Sequence, residues 1–176
     1  MNQTSRTCKK SPETKNSAFH RLIWIAASLL IMGLIFFFSS QNGRQSSAVS
    51  GRFLFLLTWL MSEQQASHLI RKGAHFTIYF LLGFCLYGVF APDKHPDSGC
   101  SRDRSALKDK ENVRSVLLAG LCAGLYAASD ELHQLFISAR SGQISDVLLD
   151  CAGALCGIAL HLAAVRLCSR CATEKN

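Results

Sequence analysis

Residues 115–165 read SVLLAGLCAGLYAASDELHQLFISARSGQISDVLLDCAGALCGIALHLAAV, and the fold turns on this stretch. Ser115–Ser129 carries no charge, and the apolar pattern continues past Asp130 to about Ile137. Val147–Val165 is broken only by Asp150 and His161. At about 1.5 Å per residue, each run crosses a hydrocarbon core of about 30 Å as a helix. Between the two runs stand Asp130, Glu131, His133, Gln134, Arg140 and Asp146. The stretch therefore reads as a membrane hairpin with a short polar turn.

Two further blocks appear upstream. Leu22–Phe38 holds seventeen residues without a charge, and Gly73–Ala91 holds nineteen, with His75 among them. Backbone groups in lipid must find partners within their own segment, so helices are the expected form. The fold class is all-α: an integral membrane bundle of four transmembrane helices, at about 22–38, 73–91, 115–137 and 147–165. The membrane domain spans 21–167, interrupted by a polar loop at 92–114 of six basic and five acidic residues. A basic tail, 1–20, without apolar periodicity is expected to be disordered. A short polar tail, 168–176, follows the domain. Phe53–Met61, FLFLLTWLM, is too short to span and reads as an interfacial or re-entrant helix with Trp59 at headgroup depth.

The first block resembles a signal sequence in its basic approach, Lys9, Lys10, Lys15 and Arg21. Its apolar run is longer than such cores, and no small-x-small cleavage site follows Phe38, so a retained anchor is expected. The net charge of +7 is better explained by orientation than by nucleic acid. With the N-terminus in the cytoplasm, fourteen of the nineteen Lys and Arg residues fall on cytoplasmic segments. The other five, Arg44, Arg52, Arg71, Lys72 and Arg140, fall outside. The positive-inside rule thus places both termini in the cytoplasm of a multi-pass cell-membrane protein. No basic-aromatic nucleic-acid motif accompanies the charge. Of the eight cysteines, Cys8, Cys100, Cys168 and Cys171 lie on the reducing side, and Cys85, Cys122, Cys151 and Cys156 lie within helices. No structural disulfide is expected. Cys168-x-x-Cys171, alone in a charged tail, reads as incidental.

This topology gathers the unusual polar residues on the external side. They are Ser39, Ser40 and Gln41; Lys72, His75 and Tyr79; Asp130, Glu131, His133 and Gln134; Arg140; and Asp146 and Asp150. Lys72, His75 and Tyr79 share one helix face, as do Asp130 with Gln134 and Asp146 with Asp150. An ionisable group within a span costs at least about 2.5 kcal/mol unless paired or wet. These groups are therefore expected to face one another around a polar pocket. Asp130, Glu131, His75 and His133 are the acid/base candidates. Arg140, Lys72 and Arg52 suit a phosphate or carboxylate, with Gln134, Tyr79, Ser40, Gln41, Asp146 and Asp150 as further binding residues. The acidic set is also compatible with a hard divalent cation. The bland reading of the same residues is an ion-pair network that fixes helix packing. His68 and His161 read as structural. Gly120-x-x-x-Gly124 and Gly153-x-x-x-Gly157 permit close packing of the third and fourth helices.

The ordered set Ser39-Ser40-Gln41, Lys72-x-x-His75-x-x-x-Tyr79, Asp130-Glu131-x-x-Gln134, Arg140 and Asp146 resembles the VanZ-like membrane proteins. The resemblance covers roughly residues 25–165. Ser138-Ala139-Arg140 stands where the family commonly has Pro-Gly-Arg, and Asp150 stands where many members have Asn. It implies the membrane architecture and an envelope setting; the family's namesake is associated with low-level teicoplanin resistance. It supplies no reaction, cofactor or catalytic residue. Three functions follow as expectations. The first is a pocket that binds or modifies an envelope amphiphile or precursor. The second is a small proton-coupled transporter, and the third is a structural or partner-binding protein in contact with membrane lipids.

Overall fold

A computed structural model describes residues 13–40, 63–92, 103–136 and 144–173. They form four helices: α1 (Glu13–Ser39), α2 (Glu63–Phe90), α3 (Asp103–Gln134) and α4 (Ile144–Thr173). All four are long and apolar enough to cross a membrane, over Ala18–Ser39, Leu69–Phe90, Asp109–Gln134 and Ile144–Cys168. The expected all-α membrane bundle is therefore what the chain forms, with no strand among the described residues. The expected helix at Phe53–Met61 lies outside the described residues.

The helices are longer than the apolar blocks. The basic N-terminal segment, expected to lack structure, is helical from Glu13, and the loop expected over 92–114 is helical from Asp103. Hydropathy reports depth in the membrane, whereas helix ends follow backbone propensity. Residues 103–114, DRSALKDKENVR, are mostly good helix formers. The same reasoning extends α2 back to Glu63, through EQQASHLIRK.

Chain direction alternates along the bundle. Trp24 of α1 packs edge-on to Phe84 of α2, and Ser115 of α3 donates to the carbonyl of Phe90, 2.6 Å away. Tyr126 of α3 donates to the Met32 carbonyl of α1 at 2.6 Å, and His133 stacks on Phe36 further along both chains, so those two helices run parallel. Helices α2 and α4 also run parallel, matched in register from Lys72–Asp146 to Phe84–His161.

The two glycine motifs were expected to pair α3 with α4, and this holds only in part. A Cβ at Gly120 would meet Leu155 Cδ2 at 3.9 Å, and one at Gly124 would meet Cys151 Sγ at 3.7 Å. Both are ordinary side-chain contacts across α3 and α4. The tight approach is elsewhere. A Cβ at Gly153 would stand 2.5 Å from the Phe76 carbonyl oxygen, and one at Gly157 would overlap the Phe80 carbonyl. From the other side, a Cβ at Gly83 would overlap the carbonyl of Ala154. These small residues bring the α2 and α4 backbones together, which is how helices associate in a medium as apolar as their side chains.

The core is a narrow stripe. Ala119, Ala123 and Ala127 give α3 a flat inward face, against which lie Leu82, Leu86, Tyr79, Tyr87 and Ile158. Outward residues such as Leu29, Leu30, Phe37, Leu117, Leu121, Leu125, Leu148 and Leu155 are exposed, as a lipid-facing surface requires.

Candidate functional site

The inward stripe of every helix changes character at the same end of the bundle. On α3 the alanine ladder gives way to Asp130, Glu131 and Gln134, all buried. On α4, Ile158 and Ala154 give way to Asp150, buried at 1% exposure, and then Asp146. On α2, Leu86 and Leu82 give way to Tyr79, His75 and Lys72. On α1 the last helical residue, Ser39, is buried. This end is where α1 and α3 finish and α2 and α4 begin. Asp150 lies six residues inside the start of α4, or about 9 Å along the axis.

Two contacts connect α2 to α4, one helical turn apart. Lys72 Nζ lies 3.0 Å from Asp146 Oδ1, half-exposed, and His75 Nδ1 lies 3.6 Å from Asp150 Oδ2. The i, i+3 spacing on α2 and the i, i+4 spacing on α4 match because the helices are parallel and touch. On α3, Gln134 Nε2 donates to Asp130 Oδ2 at 3.0 Å, across one turn. Asp146 therefore has Lys72 as its partner and Asp130 has Gln134.

Tyr79 sits where these elements meet. It is fully buried, stacked on His75 at 6.5 Å and inclined to Tyr126 at 6.4 Å. His75, on which it stacks, in turn meets Asp150. Yet the Tyr79 hydroxyl and Asp150 Oδ1 are buried without a hydrogen-bond partner. Such groups usually have one, because leaving a buried polar atom unsatisfied costs about 1–3 kcal/mol.

His133 lies on another side of the cluster. Its ring stacks on Phe36 at 5.0 Å, and its Nε2 is 3.5 Å from Ser40 Oγ, which also donates to the Phe36 carbonyl. His75 and His133 thus flank the carboxylates from opposite helix pairs. Arg52, Arg140 and Gln41 lie outside the described residues. Among the described residues, no group of three His, Cys, Asp or Glu side chains has metal-binding spacing.

Sequence reasoning found no partner for His161, and the structure supplies one. Its Nδ1 is 2.7 Å from the Phe84 carbonyl oxygen, so that nitrogen carries the proton. Its ring is packed by Trp24, Phe84 and Tyr87 at 4.4–5.1 Å. Trp24 in turn lies against the Gly88 backbone. The register that places His161 opposite Phe84 follows from the glycine contacts, which no single-helix periodicity displays. At this end of the bundle the named polar groups are satisfied: Ser28 donates to Trp24, Ser115 to Phe90, and Tyr87 to Asn112.

Four apolar helices with a polar cluster at one end define a multi-pass helical membrane protein. A model of the VanZ/LLP1 family matches residues 24–166, and the chain belongs to that family. Searches of curated proteins and of solved structures returned no match.

Proposed function

We propose that the polar end of the bundle faces the outside of the cell membrane and binds the head of an envelope amphiphile or precursor. The observation that carries this reading is the burial of Asp130, Glu131, Gln134 and Asp150 at one end of a bundle whose outer surface is apolar. An amphiphile in the outer leaflet presents its head at this depth and its chains to the exposed leucines and phenylalanines. Arg140, on the short connection between α3 and α4, and Arg52 supply positive charge for an anionic group. Asp130 or Glu131 then acts as acid or base on a bound substrate, with His75 or His133 passing protons. Through such binding the protein lowers susceptibility to glycopeptides such as teicoplanin, as associated with the namesake of its family. The positive-inside distribution of Lys and Arg supports the orientation.

A structural role is the second reading, favoured by the Lys72–Asp146 and His75–Asp150 contacts across α2 and α4. Asp130→Asn, Arg140→Ala and Asp146→Asn separate the two when accumulation and teicoplanin susceptibility are measured together. Binding predicts normal accumulation with loss of the envelope phenotype. An unchanged phenotype in all three would remove the functional site. Loss of the protein itself in all three would favour the structural role.

A further inference from the structure

Two cations of α2 stand side by side at the polar end, and they differ in what they touch. Lys72 Nζ lies 3.0 Å from Asp146 Oδ1, so its charge is already engaged. Arg71 has its Nε buried without a hydrogen-bond partner. Of the described carboxylates at this end, Asp150 meets His75, Asp130 accepts from Gln134, and none pairs with Arg71. A guanidinium stays charged in proteins, so Arg71 cannot escape the cost by losing a proton. Helical spacing explains why this side chain is partly enclosed. Arg71, Ile78 and Leu82 fall at i, i+7 and i+11 on one face of α2, where Leu82 is fully buried and Ile78 packs against the core. The exposed Leu69, two residues earlier, lies on the opposite side of the helix. Arg71 therefore belongs to the inward stripe and not to the lipid-facing surface.

We propose that Arg71 is the residue of α2 that receives the anionic oxygen of a bound head group, a phosphate or a carboxylate. This rests on the reading that the polar end binds an amphiphile. Lys72, matched to that task by its residue type, instead ties α2 to α4 through Asp146. A guanidinium presents its N–H groups in a fixed planar fork, so an anion on Nε meets a second donor beside it. Such charge-assisted bonds are roughly twice as strong as those between neutral groups. The anion offsets the cost of a buried charged donor that the described residues leave unmet. Arg71 as a whole is only partly buried, which leaves guanidinium surface for a ligand to meet.

The test titrates the detergent-purified full chain with short-chain phosphatidylglycerol, with diacylglycerol of the same chains, and with glycerol phosphate, read by native mass spectrometry. Phosphatidylglycerol is expected to bind about tenfold more tightly than the diacylglycerol, which lacks the anion. Arg71→Gln should remove that tenfold preference while the ligand-free melting temperature stays level or rises. Arg71→Lys keeps the charge but not the fork, and its preference should fall between those of the wild type and Arg71→Gln. Lys72→Gln should bind phosphatidylglycerol within about twofold of the wild type, since its charge is spent on Asp146. A lower melting temperature in both Arg71 variants, with the preference kept, would make Arg71 structural and overturn the proposal. So would loss of the preference in Lys72→Gln but not in Arg71→Gln. Equal binding of the two lipids by the wild type would also overturn it; if that binding depended on Asp130, the head-group reading would survive. Glycerol phosphate binding as tightly as the lipid, and lost in Arg71→Gln, would support the anion site and tell against a lipid source. No binding of either amphiphile would reject both readings.

Discussion

Tyr79 and His161 are both buried ring residues in the bundle, and their hydrogen bonds set them apart. His161 gives its Nδ1 proton to the Phe84 carbonyl and is packed on three sides by aromatic rings. Tyr79 has its ring packed and its hydroxyl left over. His161→Ala should therefore destabilise by about 2–4 kcal/mol, through lost packing and the lost bond, as read by thermal unfolding in detergent. Lys72→Gln should cost less than about 1 kcal/mol, because the pair with Asp146 is partly exposed and screened. The shared face of Lys72, His75 and Tyr79 was legible from spacing alone, and so was that of Asp130 and Gln134, though not the hydrogen bond between them. The partners across helices were not legible. Which carboxylate meets Lys72 depends on the offset between α2 and α4, and that offset is set by backbone contact at Gly153 and Gly157.

At the scale of helices, glycines that look alike in sequence do different things. Gly157→Val should break the α2–α4 contact, since its side chain would overlap the Phe80 carbonyl of a packed backbone. The expected loss exceeds about 3 kcal/mol, seen as poor accumulation or a much lower melting temperature. Gly33→Ala, by contrast, has nothing within 4 Å of the new methyl group. It should be neutral or stabilising by up to about 1 kcal/mol, the gain in helix propensity. Gly120→Ala should resemble Gly33→Ala, with only Leu155 Cδ2 at 3.9 Å. The sequence displayed both small-residue motifs but not which helix each one meets, because a single pattern does not name its partner. Helix number and type were legible from the apolar blocks. Helix ends were not, because α1 and α3 begin in polar residues whose backbone preference is helical and whose hydropathy is not.

For the whole molecule, one end of the bundle is polar, and the proposed orientation sets that end outside the cell. Reporter fusions after residues 45 and 142 should read as external, and one after residue 103 as cytoplasmic. A cytoplasmic reading at 142 would contradict the orientation drawn from the distribution of Lys and Arg. Membership of the VanZ/LLP1 family over residues 24–166 agrees with the motif order seen in the sequence. The site itself required the fold: only the parallel α2–α4 pair sets Asp150 beside His75, with Tyr79 enclosed between them and α3. The most direct test of the central claim is mass spectrometry of the amphiphiles that co-purify with the wild type and with Asp130→Asn at equal yield. The account predicts at least one envelope amphiphile enriched on the wild type and lost from the variant. The same complement on both proteins would contradict it.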